Sequence, residues 1–252
     1  MADKEIVEKI LEKVAAEGRT SLTAPEGRQV CEAYGIPTPA ERLATTEEEA
    51  VAQAEEIGLP VVLKIVSPDI LHKTEAGGVL VGLSTAEAVA DGFRTIVANA
   101  EAYDAEAEIT GVQVQRMLSS GQEVIIGATT DATFGKIVAF GLGGVLVEVL
   151  KDVTFRLAPL DRDEAFSMID GIAAAEILRG VRGAEPVSRD ALADVLTRVG
   201  TLVTDFPQLA EVDLNPVLAT PAAPPRWTSG SWWIPKRRGS RCGSPRRRSW
   251  RR

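Results

Sequence analysis

The 252-residue sequence has little cysteine, histidine or aromatic residue, and these shortages exclude several classes of protein. Its two cysteines, Cys31 and Cys242, can form at most one disulfide and lie in no C-x-x-C pair. That excludes a disulfide-stapled miniprotein and argues against a cysteine zinc site. The single histidine, His72, excludes a histidine-rich metal centre. With 45 % hydrophobic and 25 % charged residues, the chain is long enough to bury one or two cores.

Long apolar runs are also missing. No segment reaches the ~18 to 20 consecutive apolar residues that a membrane-spanning helix needs. The N-terminus, Met-Ala-Asp-Lys-Glu, lacks the basic and apolar regions of a signal peptide. We therefore expect a cytoplasmic protein with no membrane partner.

Acidic residues are absent from the end of the chain, although they dominate the rest. Residues 222–252 hold ten of the 28 Lys and Arg, all four Trp and none of the 36 Asp and Glu. The body keeps 18 basic and 36 acidic residues, a net charge of −18. Because Ile234 is the only aliphatic residue larger than alanine in this tail, we predict a disordered segment that buries too little apolar area to order itself.

Three interpretations of the tail, residues 221–252, stay open at this stage. Basic residues interleaved with Trp are typical of nucleic-acid binding, but no folded recognition module is present, so nucleic acid is the least favoured partner. A solvated extension without function is the second interpretation. The third, which we favour, is out-of-frame translation of a GC-rich coding sequence, because acidic and aliphatic residues disappear together.

Helical and strand patterns alternate along the body. Apolar residues at helical spacing predict a leading helix over 3–16, and the sequence TAPE at 23–26 predicts the capped start of a second helix. Alternating segments between residues 112 and 140 predict an antiparallel meander, and a last strand is predicted around 210–216. This order favours an α+β fold over an all-parallel sheet.

The stretch KIVSPDILHKTEAGGV, residues 64–79, carries the most chemical information. Lys64 lies on an otherwise apolar strand, where it either meets an anion or extends to the surface. His72 lies in a polar loop that ends in Gly77 and Gly78, whose backbone N–H groups can approach an oxyanion closely. We interpret this stretch as a phosphate-binding site. A structural histidine and an ordinary glycine turn are the alternatives.

Two further segments have polar or glycine-rich patterns. A glycine cluster at 141–144 follows a predicted strand, but no Lys-Ser/Thr pair follows it, so a P-loop is disfavoured. Glu211, Asp213 and Asn215 alternate along the last strand and therefore share one of its faces. Their oxygens suit Mg²⁺, which takes one or two carboxylates together with substrate phosphates. The alternative is a solvent-facing polar edge.

In this order, the motifs resemble the nucleotide-binding β part of the NDP-forming acyl-CoA synthetases, a branch of the succinyl-CoA synthetase superfamily. The resemblance runs from Leu22 to Thr220 through LTAPEGRQVCEAYGIPTP, VVLKIVSPDILHKTEAGGV, GQEVIIGATTDATFGKIVAFGLGGVLVEVLKDVTFRLAPL and EVDLNPVLA. It implies an ATP-grasp fold, in which two α+β subdomains sandwich a nucleotide. The expected domain covers 1–220, with subdomains at about 22–110 and 111–220.

The resemblance also implies a role for each matching residue. The implied nucleotide-binding residues are Lys64, Gly77, Gly78, Gln115, Met117, Leu118 and Glu123. Lys64 would contact the phosphates under the loop that ends in the two glycines. Gln115 and the backbone just after it would face adenine, and Glu123 matches an acidic position in the neighbouring strand.

The implied catalytic residue is His72, which matches the histidine that relays a phosphoryl group to ADP in the ADP-forming acetate-CoA ligases. Neutral imidazole is nucleophilic and can divide one long transfer into two short in-line steps. Asp213 and Asn215 match the Mg²⁺-binding end. The family continues into a strand with another acidic ligand, whereas Pro221 leads here into the tail.

The implied function is that of the nucleotide-binding component of an ADP-forming acyl-CoA synthetase, an acid-thiol ligase that uses ATP or ADP and Mg²⁺. The family's CoA-binding and ligase domains lie outside this sequence, so we expect a partner α component, with ATP, CoA and a carboxylic acid as substrates. A catalytically inactive nucleotide-binding module is the alternative, because the last metal-ligand strand is replaced.

Overall fold

The computed structural model describes residues 2–70, 73–118, 121–144, 152–181, 183–221, 226–227 and 230–233. The helices in these ranges are α1 (Lys4–Ala16), α2 (Ala24–Ala33), α3 (Glu47–Ile57), α4 (Ala86–Tyr103), α5 (Arg162–Gly171), α6 (Ala175–Leu178) and α7 (Arg189–Asp205). The strands are β1 (Glu41–Ala44), β2 (Val61–Val66), β3 (Val79–Leu83), β4 (Gly111–Arg116), β5 (Gln122–Asp131), β6 (Gly135–Leu142), β7 (Val153–Leu157), β8 (Glu211–Ala219), β9 (Arg226–Trp227) and β10 (Gly230–Trp233). Within the described part, none of the helices has the length and apolarity that crossing a membrane requires.

The strands form two antiparallel sheets. The smaller sheet has four strands in the order β1-β4-β2-β3, and the larger has the order β10-β8-β5-β6-β7, with β9 also paired to β8. Of the meander predicted over residues 112–140, β5 and β6 do pair antiparallel, but β4 belongs to the smaller sheet, and the next neighbour of β6 is instead β7. The α+β prediction is therefore confirmed.

Alternation along β2 separates a core face from a polar face in the smaller sheet. Val61, Leu63 and Ile65 are fully buried in a cluster with the apolar faces of α3 and α4. Lys64 lies between them in sequence and therefore belongs to the opposite face. Burial of the apolar face fixes the register of the strand, since a shift of one residue would move Lys64 into the core.

Residues along the strands of the larger sheet also alternate between a core face and a polar face. Val124, Ile126 and Ala128 of β5 point into a core that also contains apolar residues of α1, α2, α5 and α7. The intervening residues of β5 and β8 lie on the other face, which includes Glu123, Asp213 and Asn215. The candidate nucleotide residue Glu123 and the candidate metal residues Asp213 and Asn215 therefore share one face of this sheet.

Two features of the structure differ from the expected boundary between the two subdomains near residue 110. β4, which was expected to open the second subdomain, is a central strand of the smaller sheet. α2, expected in the first subdomain, buries Val30 and Cys31 in the core of the larger sheet. Both differences arise because strand pairing and helix docking are non-local, whereas the expected boundary followed chain order.

The first part of the tail forms strands, although the sequence predicted a disordered segment there. β9 and β10 pair with β8, and Trp232 is 1 % exposed within the larger core. A Cβ on Gly27 would stand 2.4 Å from Nε1 of Trp232, so this glycine of α2 leaves room for the indole. The prediction considered only apolar area within the tail, but these residues use a sheet edge and a core that the body supplies. Residues 234–252 lie outside the described residues.

Candidate functional site

Lys64 is held on the polar face of the smaller sheet by a neighbouring strand. Its Nζ donates a hydrogen bond of 2.8 Å to Oε1 of Gln115 on β4. Burial, and then the positive charge of Lys73, lower the pKa of Lys64 to about 8. Burial also lowers the pKa of Lys73. Two ammonium groups thus lie close enough to repel in partly buried surroundings, a situation that a bound anion would relieve.

Gln115 connects Lys64 to a buried carboxylate. Its Nε2 donates a hydrogen bond of 2.7 Å to Oε2 of Glu41, and Gln115 and Glu41 are directly opposed on β4 and β1. Burial raises the pKa of Glu41, while its hydrogen bond from Gln115 and the charges of Arg28 and Lys64 oppose that rise. Nε of Arg28 lies 3.8 Å from Oε1 of Glu41. The polar face thus carries a line of alternating charge from α2 to Lys64.

The loop that ends in the two glycines is closed by its own backbone. The N–H of Gly78 donates to the carbonyl of Lys73 at 2.7 Å, and that of Gly77 donates to Thr74 at 3.1 Å. This pair of bonds, with Gly77 at φ +61°, is a Schellman motif. Both amides were expected to approach an oxyanion, but here they are used within the turn.

The glycines are required by conformation and space instead. Gly77 has a left-handed φ, and a Cβ on Gly78 would stand 2.5 Å from Cγ2 of Ile65 and 3.1 Å from the carbonyl oxygen of Lys73. Nδ2 of Asn99, on α4, donates a hydrogen bond of 3.0 Å to the carbonyl of Gly77. The end of the loop is therefore fixed to both β2 and α4.

The candidate catalytic residue, His72, lies outside the described residues. Its neighbour Lys73 is described, and the carbonyl of Lys73 accepts the bond from Gly78 that closes the loop. The chain position of His72 is thus next to one of the two partly buried ammonium groups. Its role as a phosphoryl carrier stays a prediction.

Met117 and Leu118 continue directly from β4. The N–H of Met117 donates to the carbonyl of Pro60 at 3.1 Å, which extends the pairing of β4 with the start of β2. The side chain of Gln115, expected near adenine, bonds to Lys64 and Glu41 as described above. Adenine contacts by these residues stay a prediction.

Glu123 lies beside the glycine cluster of the larger sheet. Its carbonyl accepts a hydrogen bond of 2.7 Å from the N–H of Gly143, and a Cβ on Gly144 would stand 2.8 Å from its Oε2. The exposed carboxylate of Glu123 therefore lies against the turn at Gly143 and Gly144, and a side chain on Gly144 would collide with it. Its contact with nucleotide stays a prediction.

Asp213 and Asn215 share the outer face of β8 with Glu211. Burial, and then the charge of Glu211, raise the pKa of Asp213 to about 6. Gly127 of β5 is paired with Asp213 and has no side chain to cover it. Within the described residues, no group of three or more His, Cys, Asp and Glu side chains is arranged to hold a metal ion.

The donor chemistry nevertheless fits Mg²⁺. A carboxylate whose ionised form is disfavoured by burial and by a like charge gains from a nearby cation. Mg²⁺ keeps several waters and commonly takes one or two carboxylates along with substrate phosphates, so it does not require a cluster of three acidic side chains. Asp213 and Asn215 are thus suitable as an incomplete protein part of such a site.

The sequence patterns missed Glu41 and Lys73. Lys73 directly follows the single histidine of the sequence, in a loop that begins a few residues after Lys64. That position was the signal that could have indicated a second phosphate-binding lysine. Glu41 had none, because its relation to Gln115 depends on the pairing of β1 with β4, whose residues are 74 positions apart.

The described residues thus form two antiparallel sheets, with a lysine-bearing strand joined to a glycine-ended loop in one and a carboxylate-bearing strand in the other. Residues 13–224 match the ATP-grasp domain family. The chain is 48 % identical over 210 residues to the acetate-CoA ligase (ADP-forming) I subunit beta of Pyrococcus furiosus, covering 83 % of this chain and 90 % of that subunit. It is 46 % identical over 216 residues to the 4-hydroxybutyrate-CoA ligase (ADP-forming) of Nitrosopumilus maritimus, covering 86 % of this chain but 31 % of that protein.

A solved structure of Ca. Korarchaeum cryptofilum acetyl-coenzyme A synthetase 1 has the same fold. The TM-score is 0.80 at 41 % identity, covering 91 % of this chain and all of the matched chain. That protein is in complex with coenzyme A and Mg-AMPPCP, with its phosphohistidine segment pointing towards the nucleotide binding site. The chain belongs to the ATP-grasp family, among the β subunits of ADP-forming acyl-CoA ligases. The predicted family and fold are confirmed.

Proposed function

We propose that this chain is the nucleotide-binding component of an ADP-forming acyl-CoA ligase, moving a phosphoryl group between His72 and ADP. The complete reaction converts acid, CoA and ATP to acyl-CoA, ADP and phosphate, in either direction. The observation that carries this proposal is the pair of partly buried lysines, Lys64 and Lys73, at the loop that contains the sole histidine.

The two lysines provide the binding site for nucleotide phosphates. Each loses hydration in the fold, and the charge of Lys73 further lowers the pKa of Lys64. Glu41 compensates part of this positive charge. A phosphate chain supplies the remaining negative charge and accepts hydrogen bonds from both ammonium groups. The base then extends along β4 toward the backbone of Met117 and Leu118.

His72 carries the phosphoryl group between two sites. In the direction of ATP synthesis, a ring nitrogen of His72 attacks the phosphorus of an acyl phosphate formed on the partner, and the P–O bond to the acyl group breaks as the carboxylate leaves. The resulting N–P bond breaks when a β-phosphate oxygen of ADP attacks, which restores the imidazole and forms ATP. Lys73 stabilises the transferred charge, since it is the next residue along the chain.

Asp213 and Asn215 hold the divalent cation, and Glu123 supports the adjacent glycine turn. When bound, Mg²⁺ neutralises charge on the phosphates and aligns them for in-line transfer. The raised pKa of Asp213 fits this role, because a carboxylate that is costly to ionise alone gains most from a cation.

A partner α component supplies CoA binding and the chemistry on the acid. This division is supported by the coverage of the relatives, since the chain matches 90 % of the acetate-CoA ligase subunit beta but 31 % of the 4-hydroxybutyrate-CoA ligase. A cytoplasmic location fits such substrates. Nucleic-acid binding gains no support, because the family match ends at residue 224, before most of the basic tail.

Labelling of the single histidine tests the proposal. We expect Mg²⁺ and ATP labelled at the γ-phosphate to give a protein-bound label that is stable to alkali and lost in acid. His72→Asn should abolish it while leaving ADP affinity within about tenfold, because the imidazole serves transfer more than ground-state binding. Labelling that persists in His72→Asn overturns the relay. Nucleotide binding without labelling, even with a partner α component present, identifies an inactive nucleotide-binding module instead.

A further inference from the structure

We propose that Glu41 is a positioning residue for the phosphate-binding ammonium group of Lys64, and that it acts through the side-chain amide of Gln115. The inference rests on the proposed function only for the role of Lys64 in binding phosphate. The contacts themselves form a continuous line, 2.7 Å from Glu41 to Gln115 and 2.8 Å from Gln115 to Lys64.

The two charged neighbours leave the amide of Gln115 a single orientation. An ionised carboxylate only accepts hydrogen bonds, so Glu41 requires the NH₂ end of the amide. An ammonium group only donates, so Lys64 requires the carbonyl end. Glu41 thereby determines that Gln115 presents an acceptor, rather than a donor, to Lys64. If the amide turned over, its NH₂ group would face another donor, and Lys64 would have to move away.

Strand pairing places these three side chains on one face of the smaller sheet. Glu41 is directly opposite Gln115, and Lys64 is directly opposite Gln113, two residues from Gln115. Side chains two residues apart on a strand share a face, so Lys64 and Gln115 are diagonal neighbours. Gln113 also hydrogen-bonds to Glu41, which gives the carboxylate a second amide partner.

Glu41 is itself held rigidly. It is 7 % exposed, and a carboxylate with so little hydration needs partners for its charge. Arg28 of α2 supplies one, with Nε 3.8 Å from the carboxylate and a second nitrogen donating to the backbone carbonyl of Glu41 at 2.7 Å. Since α2 packs in the core of the larger sheet, Arg28 anchors the line of contacts to that core.

A purely structural role and a positioning role predict different results. If Glu41 only stabilises the fold, its replacement lowers stability and affects all nucleotides equally. If it positions Lys64, its replacement weakens the contact with phosphate and leaves contacts with the base and ribose unchanged. The ratio of the dissociation constants for AMP and ADP reports this difference, because the two ligands differ by one phosphate.

Calorimetry on the full chain with Mg²⁺ measures that ratio in matched variants. We expect Glu41→Ala to weaken ADP about tenfold and AMP less than about threefold. Glu41→Gln should recover ADP affinity to within about threefold, because its amide oxygen still accepts from Gln115. Glu32→Ala is the control, since Glu32 also pairs with Arg28 but does not contact Gln115. It should leave both affinities unchanged.

Substitution of Lys64 separates the inference from the proposed function. Lys64→Met should itself weaken ADP binding, and adding Glu41→Ala to it should change nothing further. A further loss in the double variant, or an equal loss of AMP and ADP in Glu41→Ala, overturns the positioning role. Unchanged ADP affinity in Lys64→Met overturns the phosphate role of Lys64 instead. Should Glu41→Ala not fold, Gln115→Leu takes its place, because it removes the amide and leaves Glu41 paired with Arg28.

Discussion

Nδ2 of Asn99 lies 3.0 Å from the carbonyl oxygen of Gly77 and donates a hydrogen bond to it. This contact joins α4 to the last turn of the loop that follows His72. A Cβ on Gly77 would stand 2.9 Å from the same nitrogen, so a side chain at position 77 would push the amide of Asn99 away from the carbonyl that it binds. The loop therefore depends on a glycine here for two reasons, its φ of +61° and its closeness to Asn99.

Alanine substitutions at Gly77 and Gly82 separate these two reasons. Both glycines have positive φ, +61° and +76°, but a Cβ on Gly82 would meet nothing within 4 Å. We expect Gly82→Ala to lower the free energy of unfolding by about 1 kcal/mol, the cost of a left-handed conformation alone. Gly77→Ala should cost about 1 kcal/mol more, because it also breaks the bond to Asn99. Urea denaturation measures both.

The variant Asn99→Ala is the control for this comparison. It removes the hydrogen bond and the steric conflict together, so Gly77→Ala in that background should cost no more than Gly82→Ala. An undiminished cost in the double variant would show that Asn99 is not the source of the difference.

The sequence allowed the fold class and the positions of the chemistry to be predicted, but not the partners of each side chain. Lys64 was recognisable because a lysine interrupts an apolar strand, and Asp213 because acidic residues alternate on one. These are local patterns of period two. Glu41 could not be recognised, since its partner Gln115 lies on a strand that becomes its neighbour only through the pairing of β1 with β4.

The glycine loop shows the same limit at short range. The sequence correctly places two glycines at the end of the turn, where positive φ and close approach are needed. It does not reveal that the amides of Gly77 and Gly78 close the turn on Thr74 and Lys73. Free and internally bonded amides have the same sequence signature, because both require residues without side chains.

Asp213 should make the protein less stable as the pH rises, whereas an ion-paired carboxylate makes a protein more stable as the pH rises. Burial and Glu211 raise its pKa to about 6, above the value of about 4 in an unfolded chain. Between these values the folded state binds more protons than the unfolded state, so stability falls as pH rises through this window. We expect Asp213→Asn to be more stable than the parent at pH 7.5 and not at pH 4, in urea denaturation without divalent cations.

Two further measurements check the cause of that effect. Glu211→Gln removes the like charge, so it should lower the pKa of Asp213 and move the window to lower pH. Mg²⁺ with ADP should recover stability at pH 7.5 in the parent protein more than in Asp213→Asn. Equal recovery in both would argue against Asp213 as a metal ligand.

Trp232 should contribute strongly to stability although it lies in the aberrant tail. It is 1 % exposed, and its indole occupies the space beside Gly27. We expect Trp232→Ala to lower the free energy of unfolding by about 3 kcal/mol, as for other large buried side chains. Phe155→Ala is the matched aromatic control, since Phe155 is 57 % exposed, and should change stability by about 0.5 kcal/mol or less. Equal effects of the two substitutions would contradict the packing of Trp232.

The proposed frame shift can be tested against the genetic code, because tryptophan has a single codon, TGG. We consider the frame in which each codon begins at the third base of the present one. The last base of Trp227 and the first two of Thr228 then read GAC, which encodes Asp. In the same way, Trp232 with Trp233 reads GTG, which encodes Val, and Trp233 with Ile234 reads GAT, a second Asp.

In that frame the tail regains acidic and aliphatic residues. Every codon that ends in the first two bases of a Trp codon encodes Leu, Met or Val, so aliphatic residues return at the positions preceding Trp227 and Trp232, along with the two Asp. We expect the coding DNA to continue in this frame as an apolar strand with acidic residues and no stop codon across this stretch. A chain repaired to that frame should bind Mg²⁺ and ADP more tightly than the present one, because it restores a carboxylate strand beside β8. A stop codon in that frame within the codons for 226–234 would exclude the frame shift as the origin of the tail. Unchanged metal and nucleotide affinity after repair would instead contradict a binding role for the restored strand.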